Sequence, residues 1–138
     1  MIYAVIDTNV FVSALLSRHP DSATVQVVNA LLKRGICPLY NQEIIVEYQD
    51  VLHRAKFHFP DEAIDCIINA VQDLGVSAER IKSSETFPDP KDIVFYEVAL
   101  SKDDAYLVTG NTKHFPKTPI VVTPGEMLEI LESKKAKV

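Results

Sequence analysis

The first candidate for chemistry is a group of polar residues, Asp7, Thr8 and Asn9, that directly follows an apolar run. The run, IYAVI at residues 2–6, shows no alternation of polar and apolar residues, and a short continuous apolar segment is typical of a strand buried on both faces. In open α/β sheets, ligands bind in the crevice beyond the carboxyl ends of the strands. Asp7 is therefore a candidate metal ligand or catalytic group. The same residue types also cap helices, and the motif alone leaves both interpretations open.

Two further acidic residues, Glu47 and Asp92, lie on predicted helices. Glu47 stands at the edge of the apolar stripe of a helix that starts at Asn41, where a solvated surface glutamate is the ordinary alternative. Asp92 lies in the first turn of a mostly apolar helix, residues 93–100, and Asp89 precedes it at the cap. Negative charge is favourable at a helix N-terminus, which is a complete structural reason for both aspartates. It does not explain why one buried helix needs two carboxylates.

Predicted strands and helices alternate along the whole chain. This order predicts an α/β fold with a mostly parallel sheet, which would bring residues at the strand ends to one edge. The predicted strands are residues 2–6, 36–40, 79–82, 105–109 and 120–122, and the predicted helices are 10–16, one capped by Asp21 or Ser22, one from Asn41, 61–74, 93–100 and one that starts at the capping box 123–126.

Composition limits the classes of protein that this chain can belong to. With 138 residues, 47% of them hydrophobic and 24% charged, it suits one globular domain. A net charge of −5 argues against a protein that coats nucleic acid by bulk attraction, but it does not exclude an enzyme whose acidic residues bind cations. Cys37 and Cys66 are expected to be reduced core residues. No apolar run approaches the ~18 residues of a membrane span, so we expect a soluble cytoplasmic protein without membrane contact.

Four motifs together resemble those of a PIN-domain nuclease, and most closely the small single-domain kind that serves as the toxin of a type II toxin–antitoxin pair. They appear in that family's order and at its spacing, and they span nearly the whole chain. The motifs are DTNVFVSALL at residues 7–16, QEIIVEYQDVLHR at 42–54, DPKDIVFYEVAL at 89–100 and LVTGNTKHF at 107–115.

The resemblance implies a three-layer α/β/α sandwich with a parallel sheet of about five strands, in which the first and fourth strands are neighbours. It would form a single PIN-like domain over residues 1–132. The rest of the chain, residues 133–138, is a basic tail with three lysines. We expect that tail to be a frayed, solvated end.

By motif position, Asp7, Glu47 and Asp92 match the acidic metal-binding residues of the family. Thr8, Asn9 and Thr109 match polar residues that line the site and orient these carboxylates. The implied activity is a metal-dependent endoribonuclease that hydrolyses RNA phosphodiester bonds. Hard carboxylate oxygens suit Mg²⁺ or Mn²⁺, and two such ions roughly 3.5–4 Å apart can activate water and stabilise developing charge.

One position departs from the pattern of the family. Asn111 stands just after the predicted fourth strand, where a further acid is usual. An asparagine can hold a water or position a ligand, but it supplies no charge. The sequence therefore leaves two alternatives for the site, one metal ion or two. Asp89 could supply part of the missing charge, with helix capping as the alternative.

The resemblance also implies partners. Arg18, Lys91, Lys113 and His114 lie in predicted loops or first turns beside the acidic positions and could contact RNA phosphates. A toxin of this kind would be blocked by a small antitoxin protein, and homodimers are common in such families.

Two other readings compete with a nuclease. The aspartyl-phosphate phosphatases also carry an aspartate at the end of their first strand, but they need a second aspartate two residues later, where this chain has Asn9. The other alternative is a catalytically weakened PIN-like domain that acts as an RNA- or protein-binding module. Asn111 is the feature that supports it.

Overall fold

A computed structural model of the chain describes residues 1–136. Its centre is a five-stranded parallel sheet with the strand order β3-β2-β1-β4-β5. The strands are β1 (Ile2–Ile6), β2 (Ile36–Tyr40), β3 (Val76–Ser77), β4 (Tyr106–Val108) and β5 (Val121–Val122).

Helices flank this sheet and complete a three-layer α/β/α sandwich, which confirms the predicted fold class. Three single-turn 3₁₀ segments lie in the loops. The helices are α1 (Thr8–Leu16), α2 (Ala23–Leu32), α3 (Gln42–Leu52), α4 (Asp61–Leu74), α5 (Ile93–Ala99) and α6 (Pro124–Ala136), and the 3₁₀ segments are Ala55–Phe57, Pro90–Asp92 and Thr112–His114. Within residues 1–136, no helix has both the length and the apolar character that a membrane crossing requires.

Strand β1 is the middle strand of the sheet and is largely buried. Its residues Ala4, Val5 and Ile6 have no measurable exposure. Ile6 pairs with Val108 of β4, so the first and fourth strands are neighbours, as predicted. Strand order reverses between β1 and β4, and in open α/β sheets ligands bind in the crevice beyond the carboxyl ends of the strands at such a reversal.

The predicted strand at residues 79–82 is wrong. The third strand is the two-residue segment β3, which follows directly after Gly75 and pairs with Leu39 and Tyr40 of β2. A Cβ atom at Gly75 would lie 2.3 Å from the carbonyl oxygen of Pro38, so only glycine allows the chain to approach β2 this closely.

Helix boundaries and cysteine environments differ from the predictions in smaller ways. Helix α1 starts at Thr8, two residues earlier than predicted, and α4 starts after Pro60 at the cap position. Cys37 is a buried free thiol, as expected, but Cys66 is exposed. The reason is that α4 buries Ile64, Ile67 and Ile68 on one face, and residue 66 falls on the other.

The C-terminal helix begins with the predicted capping box. The Glu126 backbone N–H donates to the Thr123 hydroxyl at 3.1 Å, and the Thr123 backbone N–H donates to the Glu126 carboxylate at 2.9 Å. Helix α6 continues to Ala136, so the first part of the predicted tail extends this helix. Residues 137 and 138 lie outside the described part of the chain.

Candidate active site

Asp7 lies at the carboxyl end of β1, where the strand order reverses. Its backbone N–H donates to the Val108 carbonyl of β4 at 2.9 Å, and only 7% of the residue is exposed. The residue occupies the cap position of α1, but its side chain forms no capping hydrogen bond. Instead, the Asp7 Oδ2 atom accepts hydrogen bonds from the Thr109 hydroxyl at 2.7 Å and from the Asn9 amide at 3.1 Å. Helix capping therefore does not account for the Asp7 side chain.

The ends of β1 and β4 are joined by a small hydrogen-bond network around Thr109, which is fully buried. The Thr109 hydroxyl accepts from the Asn111 backbone N–H at 3.0 Å while it donates to Asp7. The Asn9 side-chain oxygen accepts from the Gly110 backbone N–H at 3.1 Å. Because one hydroxyl and one amide each connect both strand ends, the orientation of the Asp7 carboxylate is fixed from two sides.

Thr8 is buried beside this network but contributes differently. Its hydroxyl oxygen has no hydrogen-bond partner among the described residues. Its backbone N–H is one of the groups that lower the pKa of Asp7. The structure thus brings Asn9, Thr109 and the Asn111 backbone onto Asp7 or its neighbours, whereas the Thr8 side chain points to no polar partner within residues 1–136.

Asp92 ends the 3₁₀ segment Pro90–Asp92, directly before α5. Its Oδ2 atom is buried and accepts no hydrogen bond within the described residues, and it lies 3.4 Å from His114 Nδ1. Asp89 accepts a hydrogen bond from the Lys91 backbone N–H at 3.0 Å, which confirms its predicted capping role. The cap leaves Asp92 as the carboxylate of this turn that faces the interior.

Glu47 is carried by α3, which docks against the end of β1. The next residue, Tyr48, is 1% exposed, and its hydroxyl donates to the Ile6 carbonyl, one residue before Asp7. Burial, followed by the charge of Asp7, raises the pKa of Tyr48 well above its ordinary value. Sequence reasoning assigned Tyr48 only to the apolar stripe of the helix, although a buried tyrosine hydroxyl needs a partner.

The acidic residues affect one another electrostatically. Burial raises the pKa of Asp7 from 3.8 to about 6, and the charge of Asp92 adds to this effect, while the Thr109 hydrogen bond opposes it. Burial also raises the pKa of Asp92, as do the charges of Asp89 and Glu47, and His114 opposes the shift. Asp92 is therefore electrostatically coupled to both Asp7 and Glu47, and these like charges disfavour the ionised forms of the two aspartates.

The family model described as PIN domain matches residues 3–113 of the chain. This chain belongs to the PIN-domain family. The matched region runs from the second residue of β1 to beyond β4 and contains all three acidic residues, Asp7, Glu47 and Asp92. Comparisons with curated proteins and with solved structures found no match. PIN domains are generally nucleases, a class of hydrolases, and they typically use divalent metal ions.

The described residues of this PIN domain fit such an ion in chemistry but do not form a ready-made cage. Within residues 1–136, no three His, Cys, Asp or Glu side chains are gathered as a metal-binding group. However, the buried Asp92 Oδ2 atom makes no close hydrogen bond in this part of the chain and lies 3.4 Å from His114 Nδ1, and the raised pKa of Asp7 reflects a charge that burial leaves poorly stabilised. Both features suit an oxygen-liganded cation, which would compensate the charges of the carboxylates.

The four basic residues predicted to contact RNA are all exposed. Three of them lie in the 3₁₀ segment that contains Asp92 or in the one that contacts it. His114 contacts Asp92, and Lys91 belongs to the same 3₁₀ segment as Asp92. Lys113 precedes His114 in the segment Thr112–His114. Arg18 lies in the loop after α1 and forms no ion pair in the part of the chain that the structure describes.

Sequence reasoning missed an ion pair in which a buried glutamate of α5 contacts a more exposed arginine, which also contacts α3. Glu97 of α5 has a side-chain exposure of 7%, and its Oε1 atom accepts from Arg80 Nε at 2.8 Å and Nη2 at 2.6 Å. Its other oxygen accepts from the Ser83 backbone N–H at 2.6 Å. Arg80 also contacts Glu43 of α3 at 2.8 Å. The signal in the sequence was the single glutamate in an otherwise apolar helix, since a buried carboxylate needs a partner.

Proposed function

We propose that this PIN-domain protein is a metal-dependent endoribonuclease that hydrolyses RNA phosphodiester bonds with Mg²⁺ or Mn²⁺, and that it is the toxin of a toxin–antitoxin pair. The observation that carries the nuclease proposal is the buried Asp7 carboxylate at the strand-order reversal, electrostatically coupled to Asp92. Burying charges together is costly unless a cation compensates them. That arrangement suits catalysis on a charged substrate better than it suits stability.

Each residue of the site has a distinct task in this proposal. Thr109 and Asn9 donate hydrogen bonds that orient the Asp7 carboxylate, and the Thr109 bond favours its ionised form against the effect of burial. Asp92 and Glu47 complete the set of oxygen ligands. A divalent ion held there supplies the charge that activates water and stabilises the developing negative charge on the phosphate. His114, when protonated, limits the repulsion at Asp92.

In this proposal the RNA approaches the acidic crevice, which is the space at the carboxyl ends of β1 and β4 beside Asp7, Glu47 and Asp92. Positive charge at its rim is required because the carboxylates repel the RNA phosphates. Lys91 and Lys113 lie in the turns that border Asp92 and His114, and Arg18 lies after the helix that begins at Thr8. We propose that these residues contact phosphates on either side of the scissile bond. Because the net charge is −5, binding depends on this local group of cations.

RNA cleavage by the purified protein tests the nuclease proposal. Wild-type protein is incubated with structured and unstructured RNA in Mn²⁺ or Mg²⁺, with and without EDTA. We expect cleavage that requires the metal and that disappears in Asp7→Asn. The matched control is Asp103→Asn, because Asp103 is an exposed aspartate in the turn before β4, at the opposite edge of the sheet. Cleavage that survives Asp7→Asn would contradict the assigned site.

The toxin role needs a separate experiment in cells. Induced expression of the wild-type chain should arrest bacterial growth, and the matched control Asp103→Asn should do the same. Asp7→Asn should not arrest growth, which separates catalysis from the burden of expression. We propose a homodimer, which light scattering on purified protein would detect, and a small antitoxin protein that blocks the acidic crevice. Normal growth with active enzyme in the cell would contradict the toxin role while leaving the nuclease intact.

A catalytically weakened PIN domain that binds RNA or protein is the second candidate. Two observations favour it: Asn111 supplies no charge where the family usually has an acid, and the described residues form no ready-made metal group. The same cleavage experiment separates the two functions. RNA binding without cleavage in either metal ion would support the binding module and overturn the enzyme.

A further inference from the structure

A cleft of about 660 Å³ opens beside the acidic crevice, at the outer side of β5. It is bordered by the 3₁₀ segment Thr112–His114, the loop at residues 115–119, β5 and the first turn of α6. Its volume lies within the range of small-molecule sites, roughly 300–1,000 Å³. None of its lining residues belongs to the set Asp7, Glu47 and Asp92.

The cleft has a preformed apolar wall. Phe115, Pro116, Pro119 and Val121 contribute to it. Phe115 is 6% exposed, and its ring packs edge-on against Phe87 at a centroid distance of 6.2 Å. Prolines have a fixed φ angle and core aromatic residues have few rotamers, so this wall suits a flat, rigid group such as a nucleobase.

Three polar side chains of the cleft, Lys113, Lys117 and Thr118, have no ion-pair or hydrogen-bond partner among the described residues. Lys113 and Lys117 are both exposed, and neither forms an ion pair in the portion of the chain described. The Thr118 hydroxyl oxygen is buried without a hydrogen-bond partner among residues 1–136. The acidic lining residue, Glu126, is already engaged by the Thr123 backbone N–H at 2.9 Å. The cleft therefore offers two exposed cations to a ligand, and its wall contains a buried hydroxyl without a partner among residues 1–136.

The cleft and the acidic crevice share one wall. Within the 3₁₀ segment, His114 faces Asp92 at 3.4 Å, and the preceding residues Lys113 and Thr112 line the cleft. A polymer that passes one phosphate over Asp92 would therefore place a neighbouring unit at the cleft. A free small molecule would have no reason to require this continuity.

We propose that the cleft binds one nucleotide of the RNA strand, adjacent to the scissile phosphodiester. The base packs against Pro116, Pro119 and Val121, the Thr118 hydroxyl bonds to a base edge, and Lys113 and Lys117 contact the phosphate. Stacking and apolar contact hold a base, while a hydroxyl distinguishes among bases. This inference rests on the proposed ribonuclease function and names the subsite that would set its sequence preference.

RNA binding by full-length protein tests the subsite. Fluorescence anisotropy with labelled single-stranded RNA is measured on Asp7→Asn protein, with Lys117→Glu or Thr118→Val added. We expect Lys117→Glu to weaken binding about tenfold, and Thr118→Val to weaken it a few-fold for one base more than for the others. Lys33→Glu is the matched control, because Lys33 is exposed at the end of α2, at the opposite edge of the sheet. It should change binding by less than about twofold.

Mononucleotides provide a second measurement that does not depend on the acidic residues. Addition of each of the four nucleoside monophosphates should shift the backbone NMR signals of Thr118 and Val121, and Lys117→Glu should abolish these shifts. Circular dichroism confirms that each variant is folded.

The outcomes separate this inference from the nuclease proposal. If wild-type protein cleaves RNA but the cleft variants bind RNA as tightly as the Asp7→Asn parent, the nucleotide subsite is wrong and the nuclease stands. If Lys117→Glu preserves RNA affinity but breaks self-association, the cleft is a protein-docking surface and the inference is overturned. Weaker RNA binding in the cleft variants without any cleavage by the wild type would leave a nucleotide-binding cleft, but it would overturn the nuclease and with it the position next to a scissile bond.

Discussion

The Thr109 hydroxyl donates a 2.7 Å hydrogen bond to the Asp7 carboxylate, although 102 positions separate the two residues in the sequence. Both residues are buried at the ends of adjacent parallel strands. The bond favours the ionised form of Asp7 against the effect of burial. It therefore joins the topology of the sheet to the protonation state of the proposed metal ligand.

Replacing Thr109 with valine keeps the shape of the side chain and removes the donor. We expect Thr109→Val to raise the pKa of Asp7 further and to weaken Mn²⁺ binding by roughly tenfold or more, as for other groups that orient metal ligands. The measurement is the increase of Tm with Mn²⁺ concentration, together with the rate of RNA cleavage. Thr24→Val is the control, since the Thr24 hydroxyl donates to the Ser13 hydroxyl at 3.4 Å in an exposed position. Equal metal responses in both variants would contradict a role for Thr109.

The stability of the metal-free protein should depend on pH through Asp7. Its pKa is raised from 3.8 to about 6 in the folded protein, so the folded state binds the proton more tightly than the unfolded state. The resulting stability is full below pH 3.8 and is lost as the pH rises through about 6. In EDTA at pH 7.5, we expect Asp7→Asn to raise the free energy of unfolding by on the order of 2 kcal/mol.

Urea unfolding of both proteins between pH 4 and pH 8 checks this expectation. The difference in the free energy of unfolding between wild type and Asp7→Asn should shrink towards pH 4. Because both proteins contain Glu97, its opposite contribution cancels in this difference. The pKa of Glu97 is lowered from 4.5 by the Ser83 N–H and by Arg80, so its stabilisation is present above that pH and is lost on acidification. A variant less stable than wild type at pH 7.5 would contradict the raised pKa of Asp7.

The Arg80–Glu97 ion pair should contribute more to stability than an exposed pair. Arg80→Met leaves the buried Glu97 carboxylate without its cation, and we expect a loss of about 2–3 kcal/mol in the free energy of unfolding. Arg54→Met is the matched control, because Arg54 and Asp50 are exposed and 3.6 Å apart, and such pairs contribute below about 0.5 kcal/mol.

A double variant shows whether the cost arises from the unpaired charge. Adding Glu97→Gln to Arg80→Met should restore part of the lost stability, because the glutamine is neutral and can still accept from the Ser83 N–H. If the loss of stability in the double variant equals the sum of the losses in Arg80→Met and in Glu97→Gln, Arg80 acts through packing and not through Glu97.

Asn111 offers a gain-of-function test of the metal site. Its backbone N–H already bonds to Thr109, which places residue 111 next to the Asp7 network. We expect Asn111→Asp to tighten Mn²⁺ binding severalfold by adding a charged oxygen ligand, as measured by calorimetry. Asn69→Asp, on the exposed face of α4, should leave the affinity unchanged. Unchanged affinity in Asn111→Asp would mean that residue 111 does not reach the ion.

The sequence alone determined the central strand, the caps at Asn41, Asp89 and Thr123, and the parallel α/β class. A strand that is buried on both faces has a continuous apolar sequence, as residues 2–6 do. Caps such as Asn41 and Asp89 bond to backbone N–H groups within three residues of their own positions. These signals depend on neighbours along the chain and survive without knowledge of the fold. The PIN resemblance also followed from motifs of this local kind.

Only the tertiary structure decided how distant polar groups are paired. The bond from Thr109 to Asp7, the Arg80–Glu97 pair and the close approach of Gly75 to Pro38 all join segments that are far apart in sequence. A two-residue strand is too short to show a periodic pattern. This is why the sequence predicts the third strand at residues 79–82, whereas the structure has it at Val76–Ser77. Which side chains meet depends on strand order and register, and these are set by the packing of the whole core.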